Sequence, residues 1–243
     1  MIVATGKSIL NGIAIGKIKI YKAPVYEINT GLIEDVDAEV ARFNAAVAKA
    51  IDQQGILYEK AKKDAGEESA AIFEAHQLML EDDDLQDSAR EIIIEQKRSA
   101  EYATKTAFDN YAQMFAEMDD PYMKAGSADL LDVETDVLDF LMGNDTSSMQ
   151  GTEPSILVAE DLAPSETVKL DKSLLLGMIT REGSSNSHTA ILARSMNLPS
   201  LIQCKEIDDS WDGKMEILDV YNRCVYIEPT DDLMKTLSAK HAE

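Results

Sequence analysis

A chain of 243 residues, 45% of them hydrophobic, is long enough to hold one large or two ordinary domains with real cores. Its formal charge of −22 argues against nucleic acid as a partner, because phosphates need basic neutralisation, and makes a basic partner the natural counterpart. No apolar run approaches the ~18 residues of a membrane span, and the opening MIVATGKSIL lacks the basic-then-apolar order of a secretory signal, so a cytoplasmic protein with no membrane contact is expected.

In chain order, GKIKIYK alternates Ile18 and Ile20 with lysines and reads as one strand ahead of a long helical region. From about 34 to 143 the apolar spacing is helical. Val36, Val40, Phe43, Val47 and Ala50 mark one helix, and Ile72, Phe73, His76 and Met79 a second. Leu85, Ala89, Ile92 and Ile93 follow the acidic corner Glu81 to Asp84, then come Ala100, Ala103, Ala107 and Tyr111, and finally Leu130, Val133, Val137 and Leu141 with Gly143 as the stop. Short connections between such helices imply an antiparallel bundle. Residues 22–143 hold 28 acidic against 11 basic side chains, so this half carries most of the negative field.

Beyond it, SILVA, SLLLGMI, KMEILDV and RCVYIEP are short apolar runs alternating with helical pieces, the pattern of an α/β domain. With one strand before the bundle and the others after it, the bundle reads as an insertion. The expected organisation is residues 1–21 plus 144–230 as the α/β domain, 22–143 as the helical subdomain, and 231–243 as the start of a linker helix to a domain not included. Cys204 and Cys224 lack metal-ligand spacing and read as buried thiols.

The chemistry concentrates in REGSSNSHTAILARSMNLPSLI, residues 181–202. A polar run ends in His188 and turns at once into an apolar-faced helix. A helix N-terminus presents free N–H groups and partial positive charge, a natural seat for phosphate. Ser187 can cap it and Thr189 adds a donor. An imidazole ordinarily titrates near ~6.5, so at neutral pH much of it keeps a free lone pair and can attack phosphorus unaided. A hydrogen-bonded structural histidine near a helix start is common, and from local spacing alone it is the commoner alternative. His241 lies in the tail, and His76 lies beside the acidic corner, where contact or structure explains it better than chemistry.

SNSHTAILARSMNLPSLI resembles the phosphohistidine signature of enzyme I of the phosphoenolpyruvate-dependent sugar phosphotransferase system. AEDLAPSET at 159–167 is similar to that family's Asp-Leu-Thr-Pro-Ser-Glu-Thr loop, GEESAAIFEAHQLMLEDDDL at 66–85 to its carrier-binding helices, and GIAIGKIKIY to its first strand. The match is collinear over nearly the whole chain. It implies an α/β swivelling phosphohistidine domain with an inserted all-helical subdomain. It further implies that His188 carries the phosphoryl group on Nε2, that Thr167 bonds the other ring nitrogen, and that the helical part docks the carrier protein HPr in sugar uptake. The phosphoenolpyruvate and Mg²⁺ site would lie in a C-terminal domain outside this chain, so no cofactor or metal is expected here. On this reading Ser187, Thr189 and Arg194 stabilise phosphate, and Glu67, Glu68, His76, Met79, Leu80, Asp82, Asp84 and Leu85 meet the carrier. Ser185 stands where the family has a basic residue, with Arg181 as a candidate substitute, and PYMKAGSADLLD at 121–132 lacks the family's usual arginines. The competing readings are the swivelling domain of a pyruvate phosphate dikinase-like enzyme and a carrier-binding module that never transfers phosphate.

Overall fold

The computed structural model describes residues 2–144, 151–183 and 188–241. The chain divides into two compact units, Met1–Ala23 with Ser147–Glu243, and Pro24–Thr146.

The second unit is helical. Helix α1 (Val36–Ala65) starts at Asp35, whose carboxylate accepts the Ala38 N–H, and buries Phe43, Ala46, Val47, Ala50, Gln54, Leu57 and Ala61 at helical spacing. It ends at Gly66, whose φ of 89° lies outside the helical range and costs glycine nothing, and α2 (Glu67–Leu80) follows directly. Asp82 caps α3 (Asp83–Gln96) through the Leu85 N–H, and Ser99 caps α4 (Ala100–Glu117) through the Tyr102 N–H. Helix α5 (Pro121–Met142) opens on Asp120 and an N-terminal proline and closes on left-handed Gly143, the stop expected from the sequence. Phe43, Leu80, Leu85, Ile93, Phe108, Leu130 and Leu138 form the shared core.

Helix α5 buries Asp132, Glu134, Asp136 and Asp139, and the last three have close polar partners. The Gln54 amide donates to Asp136 at 2.8 Å, the Tyr26 hydroxyl to Asp139 at 2.8 Å, and Lys105 stands 3.0 Å from Glu134. Burial nevertheless pushes the Glu134 carboxyl up to about 7.

The first unit is built on one eight-stranded sheet: β1 (Ile2–Thr5), β2 (Lys7–Leu10), β3 (Ile13–Ile20), β4 (Ser155–Ala159), β5 (Leu175–Thr180), β6 (Ser200–Ile202), β7 (Met215–Asp219) and β8 (Cys224–Ile227). Their order is β1-β8-β7-β3-β4-β5-β6-β2. Strands β3, β4, β5 and β6 run parallel, while β7, β8, β1 and β2 each pair antiparallel with their neighbours. Three strands precede the helical unit where the sequence suggested one. The unit occupies the connection between β3 and β4, which pair directly, Ile18 opposite Ile156. Strands β1 and β2 stand at the two ends of the strand order yet are separated by Gly6 alone, so the sheet curls until its edges meet. A side chain at Gly6 would place its Cβ 2.7 Å from the Ile202 carbonyl oxygen, which is why glycine is required there.

One core of this unit gathers Ile18, Ile156, Ile179, Leu201, Leu218 and Trp211 with the buried thiol Cys204. Glu216 of β7 is fully buried, and neither carboxylate oxygen has a hydrogen-bond partner among the described residues. The segment after residue 230 forms helix α8 (Asp231–His241), whose Leu237 is buried with Ile13 and Ile217.

Candidate functional site

The parallel strands position the site. Helix α6 (Pro164–Lys169) begins just after the carboxyl end of β4, and α7 (His188–Ser195) follows the carboxyl end of β5. In open parallel arrangements ligands bind outside those strand ends. Helices α6 and α7 pack against each other, and Ala190 and Ala193 join Leu162, Leu157, Ala159 and Met178 in a second core.

That packing decides which face of α7 is free. Thr189, Ala190, Leu192 and Ala193 point inward, while His188, Ile191, Arg194 and Ser195 are exposed. His188 is the first helical residue, at the positive end of the helix dipole. Arg194 lies in the last turn, ~9 Å farther along the axis at the usual helical rise.

Thr189 differs from its expected use. Its side chain is buried, and its hydroxyl donates to the Leu162 carbonyl at 2.9 Å, so that proton ties helix to loop and is not free for phosphate. Thr167 is also buried. Its N–H donates to the Ala163 carbonyl at 3.0 Å and its hydroxyl to the same oxygen at 2.7 Å. With its proton given away, the Thr167 oxygen can act toward a third group only as an acceptor. Ser187 and Ser185 lie outside the described residues.

Arg181 does not fill in for the basic residue missing at Ser185. Its guanidinium is bound 2.6 Å from Asp209, 3.4 Å from Glu160, and by Nε to the Ile207 carbonyl at 2.9 Å. Two residues with no role assigned from the sequence complete the loop. Glu166 accepts the Ala163 N–H at 2.9 Å with one oxygen and the Tyr21 hydroxyl with the other. A glutamate three residues into a helix is a readable capping signal, but alanine at the cap position, with no side-chain oxygen, disguised it here.

In the helical unit the candidate contact residues separate. Glu68, Asp82 and Asp84 are exposed, and Glu67 is exposed but paired with Lys62 at 3.0 Å. Leu80 and Leu85 are fully buried in the bundle core and cannot meet a partner at the surface. His76 is fully buried too, 3.3 Å from Asp129 and 3.8 Å from Asp132 with Phe73 edge-on, so it serves the helix packing. Met79 is half-buried near Phe115 over Gly126, where a Cβ would come within 3.1 Å of the Phe115 ring. Leu78 is 68% exposed and is the apolar residue that this corner offers to solvent.

Among the described residues no group of three or more His, Cys, Asp or Glu side chains is arranged to hold a metal ion. The Mg²⁺ that the resemblance implies therefore has no fit in the described part of this chain. No described helix is long and apolar enough to cross a membrane.

A curled α/β sheet interrupted by a helical unit, with a histidine at a helix mouth, is an α/β domain with a helical insert, and the comparisons agree on that fold. Residues 5–125 match the family described as PEP-utilising enzyme, N-terminal, and residues 151–223 match PEP-utilising enzyme, mobile domain. The chain belongs to this family of PEP-utilising enzymes. The phosphoenolpyruvate-protein phosphotransferase of Haemophilus influenzae is 37% identical over 241 residues, covering 96% of this chain and 42% of the relative. That of Priestia megaterium is 35% identical over 235 residues, covering 96% and 41%. The chain thus spans about two fifths of the length of these curated relatives. A solution structure of Enzyme I superposes with a TM-score of 0.81 at 29% identity, covering 98% of both chains. The N-terminal domain of a nitrogen Enzyme 1 shares the fold, with a TM-score of 0.69 at 24% identity over 99% of this chain and all of the other.

Proposed function

We propose that this chain is the phosphoryl-carrying N-terminal half of a cytoplasmic phosphoenolpyruvate-protein phosphotransferase, with His188 as the carrier. The observation that carries this reading is an exposed imidazole at the first position of α7, off the carboxyl ends of parallel strands, beside a helix whose Thr167 hydroxyl is left only as an acceptor. Thr167 accepts the Nδ1–H of neutral His188, which fixes the tautomer and leaves the Nε2 lone pair to react. That lone pair attacks the phosphorus of phosphoenolpyruvate held by the other half of the enzyme. The P–N bond forms, the P–O bond breaks, and the enolate leaves and is protonated to pyruvate. The N–H groups of the first turn of α7 and its dipole hold the phosphoryl oxygens, and Arg194 adds positive charge along the exposed face.

In the second step the histidine of HPr attacks the same phosphorus and His188 is released. Glu67, Glu68, Asp82 and Asp84 give the helical unit an acidic rim, with Leu78 and Met79 as its apolar element, suited to a basic carrier in sugar uptake. Mg²⁺ would act in the phosphoenolpyruvate half; among the described residues of this chain no group of His, Cys, Asp or Glu is arranged to hold it.

Incubation with phosphorylated HPr and intact-mass measurement tests the reading. A single phosphoryl adduct is expected, labile in acid, stable in base, and absent from His188→Ala. Labelling that persists in that variant overturns it, as does a wild-type chain that never labels.

A further inference from the structure

We infer that the amino end of β4 carries an anion site, separate from the His188 helix mouth, that takes a small phosphate-class oxyanion through Lys17, Lys19 and Ser155. A cavity of about 200 Å³ opens there, walled by Lys17 and Lys19 of β3, by Gly151, Glu153 and Ser155 where the chain enters β4, and by Gly213. All of these residues belong to one compact unit. Lys17 and Lys19 alternate with Ile18, so both lie on one face of the sheet while Ile18 joins the core on the other. Ser155 stands directly opposite Lys17 in the parallel pair, which puts its side chain on the lysines' face. His188 starts α7 beyond the carboxyl ends of the parallel strands, whereas this cavity lies at their amino ends. The length of β4, roughly 13 Å at the usual strand rise, separates the two ends.

Three observations point to an anion. The Ser155 residue is 6% exposed, and its hydroxyl oxygen has no hydrogen-bond partner among the described residues. A buried hydroxyl left unmatched calls for something to complete it, and its proton is available to an oxyanion. Lys19 is half-buried and has no ion-pair partner among the described residues, in a chain with 45 acidic against 23 basic side chains. Its Cε lies 4.0 Å from where a Cβ at Gly151 would stand, so the glycine leaves room for the lysine stem along the cavity wall. Lys17 does pair with Glu153, at 3.6 Å, but the two side chains are 59% and 77% exposed. A pair that long and that wet is weak, and an oxyanion between the lysines can take the place of Glu153. The first 26 residues hold four lysines and no acid, which sets this strand apart from the negative field of the helical unit. An ammonium acts on phosphate as a compact point charge, and two of them with one hydroxyl make a donor set of charge-assisted and neutral bonds. The volume is below the ~300 Å³ at which pockets for drug-sized ligands begin, which favours an ion or a small phosphomonoester over a nucleotide. Bound there, the anion joins β3, which leads out to the helical unit, to the segment by which the chain returns from it.

Inorganic phosphate is the first probe. In ¹⁵N-labelled chain titrated at constant ionic strength, the backbone N–H signals of Gly151, Ser155 and Gly213 should shift and saturate with a Kd of about 1–5 mM. Lys19→Met should weaken that binding about tenfold and Ser155→Ala about threefold. Glu153→Gln, which removes a competing carboxylate, should strengthen it. His188→Ala should leave these shifts as they are, and any effect of phosphate at α7 is read separately from the signals of that helix. Glycerol 3-phosphate distinguishes the sources: tighter binding than inorganic phosphate assigns the site to a phosphomonoester, equal or weaker binding to the free ion. Shifts that do not saturate by about 50 mM phosphate, or that survive Lys19→Met and Ser155→Ala unchanged, overturn the inference. Shifts confined to α7 and lost in His188→Ala overturn it equally. If circular dichroism shows that Ser155→Ala disturbs the sheet, Lys19→Met and Glu153→Gln decide, since both change exposed ends of side chains and are expected to move the affinity in opposite directions.

Discussion

The hydroxyl of Thr189 donates to the carbonyl of Leu162 at 2.9 Å, which joins the first turn of the helix bearing His188 to the loop that opens the helix bearing Thr167. Two segments 27 residues apart in sequence are held by one buried proton. Thr189→Val keeps the shape and loses the bond, leaving a buried carbonyl unsatisfied, at a cost of about 1–2 kcal/mol. Urea unfolding should show the loss, and Thr189→Ser should recover much of it. Phosphoryl uptake should fall less than in Thr167→Val, because the Thr189 backbone N–H remains. Equal stability of the valine variant and wild type would deny the bond its role.

Glu216 makes stability depend on pH. Its carboxyl is buried, has no hydrogen-bond partner among the described residues, and is pushed up to about 8 by desolvation. The folded chain therefore keeps a proton that the unfolded chain releases near the ordinary carboxylate range. Between about pH 4.5 and 8 the unfolded state binds fewer protons, so this group lowers stability as pH rises, by about 1.4 kcal/mol for each pH unit at most. Glu216→Gln should be more stable than wild type at pH 8, with the advantage shrinking toward pH 5. Urea midpoints at the two pH values check this, and parallel shifts in both proteins would refute it.

Leu80 and Leu85 lie in the bundle core, so Leu80→Ala and Leu85→Ala should each cost about 2–5 kcal/mol and lower the melting temperature. Leu78→Ala should leave melting nearly unchanged and speed dissociation of HPr. A Leu78 variant that binds HPr with wild-type kinetics would remove this residue from the contact.

Glu68 and Asp84 are exposed acids, and Asp82 also caps α3, so charge reversal is cleanest at the first two. Glu68→Lys with Asp84→Lys should slow association with HPr at low salt. The difference should fade as the Debye length falls from ~30 Å at 0.01 M salt to ~8 Å at physiological strength. Association rates from stopped flow at the two salt levels measure it, and a double variant as fast as wild type at low salt would mark these acids as solvated surface.

The long helices were legible because their apolar spacing repeats over many turns and their ends carry Asp, Ser, Pro and Gly signals. Strands β1 and β2 were not, since four residues either side of Gly6 are too few to display alternation, and β6 is three residues within NLPSLI. Leu78, Met79 and Leu80 are consecutive and sweep about 200° of a helix, so spacing cannot say which one faces the core. In the site, His188 at a helix mouth was readable from sequence. The commitment of the Thr189 and Arg181 donors was not, because their partners Leu162, Ile207, Glu160 and Asp209 come from other parts of the chain.

The turn at Gly6 bears on how the protein survives in a crowded solution. An open sheet ends in strands whose unpaired N–H and C=O groups can template a neighbour's strand and seed aggregation. Here the terminal strands of the order are β1 and β2, four residues each, joined by one residue. The chain brings the two vulnerable borders to the same place and makes them continuous. Enlarging Gly6 against the Ile202 carbonyl would pry that seam apart, and the damage to expect is self-association through the bared strands as much as lost stability.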